Sequence, residues 1–501
     1  MFIAPCCWRE NLTVHQSPKA DELRAEIDGY VQQGWSDQQI QDKLIGAYSR
    51  RILALPEGTQ GHVLSWAPWV ALLSGGAFVS WVIARSVRLG ATAKPMACLL
   101  LCAGVALGQW KQADPPAKPG GGMPFLTKSP KGAVYISWID AEGGAGQGHA
   151  LRMAEWNGTA WVRPETIARG KRWFVNWADF PAVSVANDGS MLAHWLDRAP
   201  NGGTYGYGVR VARREPGAQG AWREVAAFHV NDPKDYAGFL SFVGGRSAAY
   251  LAPPAGGQQG GHHHGGDEDH GHLKTLRVAE FGAAGEVVRD VEIDGDVCSC
   301  CQTASAMTPS GMVIAYRDHL PGEIRDISIV RVRDGKAGTP EVLHRDGWQI
   351  NGCPTEGPTI AAVGRTAGIA WTTRAGGVSR LQLAWSQDGG EKFRAPVRAD
   401  DGNPLGRPHL ATVDADQQLL VWLEKVGATS VEVRLRRVGA DGRLGPSFKV
   451  ASVGTGRSAG LPKVAVHGDQ VLVAWREDTV RAGWLPLSSV PSLVMRKEVR
   501  P

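Results

Sequence analysis

From residue 123 to about 487 the apolar positions fall in short bursts, each closing on a large residue. They are AVYISW at Trp138, MLAHW at Trp195, SAAYL at Tyr250, MVIAY at Tyr316, AGIAW at Trp371, QLLVW at Trp422 and VLVAW at Trp475. Successive closing residues stand 57, 55, 66, 55, 51 and 53 positions apart. Bursts this short, each preceded by a turn such as Asn187-Asp188-Gly189 or Pro309-Ser310-Gly311 and by another strand (PAVSVA, ASAMT), predict strands rather than helices. A period near 55 residues with four strands per unit predicts a β-propeller. Seven copies predict seven blades, with six as the alternative. The last unit is short, so a strand near Phe125 is expected to close the ring.

Between Ser17 and Ala47 the apolar positions follow a helical period. In SPKADELRAEIDGYVQQG, Ser17 is suited to cap a helix that begins at Pro18, and Leu23, Ile27 and Val31 recur on one face before Gly34 ends it. Ser36-Asp37-Gln38-Gln39 has capping-box spacing, and Ile40, Leu44 and Ala47 form the stripe of a second helix. Two short helices bury little surface, so a third helix or the membrane is expected to complete their packing. Residues 63 to 84, VLSWAPWVALLSGGAFVSWVIA, carry no charge and are long enough to cross a hydrocarbon layer of ~30 Å. Trp66, Trp69 and Trp81 stand near the ends of this run, and Arg85 and Arg88 follow it.

A second apolar stretch, MACLLLCAGVALG over 96–108, follows Arg85, Arg88 and Lys94 and ends in small residues, the layout of an export signal. It is expected either to be cleaved or to act as a second span. The basic loop between the two segments belongs on the cytoplasmic side, which places both soluble parts in the extracytoplasmic, periplasmic space of a bacterial-type inner membrane. The chain thus divides into a helical module over 1–61, a transmembrane helix with its basic flank over 62–88, a signal-like segment and Pro/Gly linker over 89–122, the propeller over 123–490 and a basic tail over 491–501. The predicted fold class is multidomain: a small all-α module and a membrane helix, then an all-β propeller.

Composition agrees with turns and large side chains in a β-rich chain, with 64 glycines and 19 tryptophans among 501 residues. A net charge of +5 is weak for this length and gives no nucleic-acid footprint.

Residues 4–88, through CCWRENLTVHQSP, DELRAEIDGYVQQGWSDQQI and LALPEG ahead of one membrane helix, resemble the CcmH-type subunit of the cytochrome c maturation machinery. That resemblance implies a membrane-anchored three-helix thiol module, a haem lyase accessory whose Leu-Arg-Cys-x-x-Cys motif handles the haem-accepting cysteines of apocytochrome c. It implies haem only indirectly, and apocytochrome c or other maturation proteins as partners. Cys7 matches the second cysteine of the motif, Ala4 stands where the first belongs, and Cys6 is extra. Cys7, with Cys6 beside it, is the candidate thiol. Adjacent cysteines bridge only with strain, so Cys7 lacks the usual resolving partner.

In the propeller, LAWSQDGGEKFRAP places Ser386, Asp388, Gly390 and Phe393 in the pattern of an Asp-box, the hairpin signature of sialidase-like propellers. Weaker cousins stand at Asn157-Gly158 with Trp161, Glu215 to Trp222, and Asp441-Gly442 with Phe448. The chain over 123–487 resembles that class, which implies an exo-α-sialidase-type glycoside hydrolase as the alternative to a binding or interaction scaffold. Arg317, Arg325 and Arg407 are the candidate anion binders and Tyr316 the candidate nucleophile, although Tyr316 also occupies an ordinary repeat position and the expected N-terminal Arg-Ile-Pro motif is missing.

Two clusters suggest metals. The insertion GGQQGGHHHGGDEDHGH offers His262, His263, His264, His270 and His272, with Asp267 and Asp269, as ligands for copper, zinc or nickel; its low complexity equally fits a loop of weak, promiscuous affinity. Cys298, Cys300, Cys301 and Cys353 open consecutive innermost strands and are expected side by side at one mouth of the channel, together with NWADFP, DYAGF and GRPH. A glycan or protein ligand would bind there. For the four thiols, a disulfide from Cys353 to Cys300 or Cys301, coordination of Cu(I), and free reactive thiols are the three expectations.

Overall fold

The computed structural model describes residues 2, 12, 18–48, 52–53 and 110–493, apart from 144–146, 204, 233, 255–272, 428–429 and 457–458. The chain forms two compact units that meet in sequence between Gly108 and Gln109. The apolar runs at 63–84 and 96–108, Cys6, Cys7 and the five histidines of the insertion lie outside the described residues. No described helix is long and apolar enough to cross a membrane.

In the N-terminal unit, α1 (Pro18–Gln32) and α2 (Asp37–Tyr48) are the helices among the described residues, where a bundle of three was expected. Gly34 at φ +79° ends the first. The capping box of the second is formed: the Gln39 amide donates to Ser36 Oγ at 3.3 Å and the Ser36 amide to Gln39 Oε1 at 2.8 Å. Leu23, Ile40 and Leu44 make a small core with Leu12 and Ile52. The stripe differs from expectation at its ends. Val31 is 57% exposed and Ala47 is exposed, while Tyr30 packs on the core and stacks on Trp35 at 4.7 Å, because the turn at Gly34 folds Trp35 back over Tyr30 rather than over Val31.

The second unit is a seven-bladed propeller. Blade 1 spans 122–170, blade 2 183–228, blade 3 238–297, blade 4 304–344, blade 5 359–398 and blade 6 404–453, each an antiparallel meander of four strands, with a fifth short strand on blade 4. Blade 7 is made of Gly460–His467, Gln470–Arg476 and Val480–Pro486, and its fourth strand is Lys111–Gln112. The seven recurring bursts are the second strands. They are buried along nearly their whole length because neighbouring blades cover both faces, so they read as continuous apolar runs instead of alternating ones. The seven-blade expectation holds and the six-blade alternative falls away.

Ring closure differs from the expectation. The strand around Phe125, Gly122–Lys128, is the inner strand of blade 1. The closing strand is Lys111–Gln112, inside the stretch read as a Pro/Gly linker; Lys111 pairs with Trp484 and Gln112 with Gly483. Two residues are too few to show a strand period, so local pattern misses it. Asp114 secures the closure, with Arg481 Nη1 at 3.1 Å and the Ala482 amide at 2.8 Å.

Candidate functional site at the propeller mouth

The inner strands of blades 1, 3, 6 and 7 open in the same way. A glycine is followed by a residue with positive φ, and pairing with the second strand skips register there: Gly122-Met123, Gly238-Phe239, Gly406-Arg407 and Gly460-Leu461, with φ of 55°, 51°, 57° and 50° at the second residue. Such bulges re-aim side chains, and a strained backbone persists only where its surroundings hold it. Carboxylates from the preceding loops do the holding in two blades. Asp179 Oδ1 accepts the Phe239 amide at 2.8 Å, and Glu356 Oε2 accepts the Arg407 amide at 3.2 Å. A side chain at Gly238 or Gly406 would collide with these same carboxylates. The sequence carries this as a Gly-x at strand starts with, for Phe239 and Arg407, an acid 60 and 51 residues upstream, a separation longer than any local pattern spans.

These openings frame a channel cavity of about 720 Å³ lined by Phe125, Trp177, Phe180, Phe239, Glu356, Arg407, His409 and Lys463 among others. Arg407 lies over the Trp177 ring at 4.6 Å and Lys463 Nζ is 5.0 Å from the Phe180 centroid. Burial, then the nearby Arg407 charge, lowers the Lys463 ammonium to about 8; burial raises Asp179 to about 7 against the pull of its two hydrogen bonds, from Phe239 and Tyr207. His409 is held neutral by burial and by the Lys463 charge.

Of the three arginines named from the sequence, Arg317 and Arg325 lie together behind the cavity lining and Arg407 stands in it. Arg317 is buried beside blade 5, where Nε donates to the Glu356 carbonyl at 2.8 Å, Nη2 to the Thr372 carbonyl at 2.8 Å and Nη1 to the Arg325 carbonyl, with Trp348 under the guanidinium at 4.7 Å. Its donors clamp two blades together. Arg325 pairs through Nη2 with Glu323 at 2.7 Å, while its buried Nε and Nη1 have no acceptor among the described residues. Tyr316 donates its hydroxyl to Asp294 at 2.6 Å, and burial followed by the charges of Asp318 and Asp294 pushes its phenol up, opposite to what a nucleophile requires.

The thiols converge. Cys298 Sγ lies 3.8 Å from Cys300 Sγ and 3.7 Å from Cys301 Sγ, all three are buried, and Cys353 packs against the same cluster. All four are free, so the bridge expected from Cys353 to Cys300 or Cys301 is not formed; the C-S-C-C turn directs its own sulfurs toward one another instead. Hydrogen bonds with Cys300 and Cys301, helped by Arg325, hold the Cys298 thiol well below its ordinary value, while burial pushes Cys300 and Cys301 up. The loop is pinned on both sides. The Cys298 amide donates to the Arg317 carbonyl at 3.1 Å, Tyr236 Oη donates to the Ser299 carbonyl, and Gln302 joins the Ala178 carbonyl to the Gly357 amide.

At the opposite end of blade 5 the Asp-box residues serve the turn. The Gly390 amide donates to Ser386 Oγ at 2.9 Å, the Glu391 and Lys392 amides to Asp388 Oδ1 at 3.0 Å each, and Phe393 packs between blades 4 and 5.

Residues 2–100 match the CcmH family model, described as a cytochrome C biogenesis protein. The match covers the helical unit and the apolar run at 63–84, ends within the second run at 96–108, and stops short of the propeller. No curated protein matches the chain. Among solved structures, the propeller is similar to a protein of unknown function from Dyadobacter fermentans DSM 18053 (14% identity, 75% of this chain and 98% of that one, TM-score 0.44). It is also similar to an α-L-arabinofuranosidase from Fusarium graminearum (11%, 76% and 98%, 0.43) and to a Hadza microbial sialidase (13%, 60% and 63%, 0.37). These likenesses are of fold and assign no activity to this chain.

Proposed function

We propose that the chain is a membrane-anchored accessory of cytochrome c biogenesis in which the CcmH-like unit handles apocytochrome thiols and the propeller binds a partner at its mouth. The observation that carries this reading is the match of residues 2–100 to the CcmH family. The uncharged run at 63–84 with its basic flank supports insertion in a bacterial-type inner membrane, both soluble units extracytoplasmic. Haem is cargo of this process, a substrate and not a resident group. Cys7, as thiolate, attacks a disulfide of oxidised apocytochrome c; one new S–S bond forms, the old one breaks, and the departing cysteine leaves as thiolate. Without a C-x-x-C partner the mixed disulfide persists.

Binding rather than glycoside hydrolysis is supported by Arg317, whose donors are taken by backbone carbonyls, and by Tyr316, whose phenol is held protonated. The deciding experiment incubates the full chain with an oxidised apocytochrome c peptide and maps adducts by mass spectrometry. A Cys7-linked adduct, absent in Cys7→Ser, is expected. No adduct, together with steady sialoside hydrolysis abolished by Arg407→Ala, would replace this reading with the glycosidase.

A further inference from the structure

We propose that Cys298, Cys300 and Cys301 form a binding site for a single Cu(I) ion at the propeller mouth. A metal about 2.3 Å from each thiolate holds its ligand sulfurs about 3.8–4.0 Å apart. Cys298 already stands at 3.8 and 3.7 Å from its two partners, and all three sulfurs lie within 4.8 Å of one another. Two of the three spacings already fit, and the pins at Cys298, Ser299 and Gln302 hold the turn in place before any ion arrives.

Charge supplies a second, independent observation. Three thiolates around a monovalent ion carry a net charge of −2, which burial would forbid without compensation. Arg325, whose charge acts on Cys298, answers it: Nε and Nη1 are both buried and without an acceptor among the described residues, where other arginines leave Nε alone in that state. Loading displaces the protons still held by the Cys300 and Cys301 thiols to solvent and leaves the oxidation state of copper unchanged. The choice of ion follows from the donors. The set is all sulfur, with no described histidine or carboxylate in it, so hard cations are excluded; it is three-coordinate, whereas structural zinc closes with four ligands. Cys353 touches the cluster but is only half-buried and falls outside the tight set.

A hydrogen-bond chain joins the cluster to the strand that follows the histidine-rich insertion. Lys274, the first residue of the strand after the histidine-rich insertion, donates Nζ to the Tyr236 carbonyl at 2.8 Å, and the Tyr236 hydroxyl donates to Ser299 between the cysteines. The proposal stands apart from the biogenesis reading, and its failure would leave that reading untouched.

The test uses the full chain, reduced and anaerobic, with Cu(I) supplied as its complex with the chromophoric chelator bicinchoninate. Cys6, Cys7 and the histidines are competing copper donors by their chemistry, so the readout is a difference between variants. A variant with the five histidines replaced by alanine should still withdraw copper from the chelator, and X-ray absorption should show three sulfur neighbours. Adding Cys298→Ser to it should weaken retention on the order of 100-fold and lower the sulfur count, with near-UV circular dichroism unchanged. Should Cys298→Ser misfold, Cys300→Ser gives the same readout. Retention unaffected by either substitution, or displacement of Cu(I) by equimolar Zn(II), would overturn the site.

Discussion

At the Asp-box end of blade 5, Ser386 and Asp388 direct their oxygens to amides of their own turn, and the turn in turn docks on blade 4 through Arg331 Nε to the Gly390 carbonyl at 2.6 Å and Thr308 Oγ1 to the Gly389 carbonyl at 2.7 Å. At the mouth end of the same blades, polar groups reach across loops distant in sequence. There Asp179 holds Phe239, Glu356 holds Arg407, and Arg317 clamps three carbonyls, while Arg325 keeps two buried donors without an acceptor among the described residues and three thiols crowd together. One end shapes its turn with its own side chains and docks it on a single neighbouring blade. The other depends on assembly of the ring, and the groups left over after assembly are the ones available to a ligand.

The most severe way to break this contrast is Arg317→Ala. It strands the Glu356, Arg325 and Thr372 carbonyls in the interior and should cost on the order of 3 kcal/mol or more, seen as a lower urea midpoint of the propeller transition. Arg317→Lys should recover little, since a point charge cannot serve three separated carbonyls. If Arg317→Ala costs less than Asp388→Ala, the mouth does not rest on the clamp described here.

Asp388→Ala should cost about 1 kcal/mol, comparable to loss of a helix cap, because the Glu391 and Lys392 amides can turn to water. Gly390→Ala should cost a similar amount for a different reason, φ +83° with Val313 Cγ2 2.8 Å from the new methyl.

A smaller effect separates the ends by pH. Asp179 is raised to about 7 in the folded protein by burial, so the unfolded chain ionises first. Its stabilising contribution is complete below about pH 4 and is lost as pH rises through 7. Asp318, raised to about 7 by burial, acts in the same direction. Asp179→Asn should therefore flatten part of the fall in urea midpoint between pH 4 and 7, leaving the share due to Asp318. Asp388 is lowered by the Ser386 hydroxyl and contributes with opposite sign, toward acid. An unchanged slope in Asp179→Asn would show that Asp179 is not a protonated pin. The smallest expected effect is at exposed Val31, where Val31→Lys should change the midpoint by less than about 0.5 kcal/mol.

Much of the architecture was legible because it repeats. Bursts closing at Trp138, Trp195 and their successors give seven second strands, each buried by the same neighbours, so one pattern was read seven times. Ring closure at Lys111–Gln112 was hidden, since a two-residue edge strand has no period and its partner lies more than 360 positions away. The capping box at Ser36 was legible because it is local, and the exposure of Val31 was not, because it turns on how Trp35 folds back.

For the mouth, the amino-acid order alone determined which loops would meet, since a propeller gathers the starts of its inner strands around one opening. It thereby brought together Cys298, Cys300, Cys301 and Cys353. Only the tertiary structure decided their chemistry: that the sulfurs remain free thiols, that Arg317 is a clamp and Arg325 a donor without an acceptor among the described residues, and that Asp179 and Glu356 are pins for strained backbone. The reason is range. A strand period acts over a few residues and is written in them, whereas a buried charge takes its role from whichever groups the closed ring sets within hydrogen-bond distance, and those come from other blades.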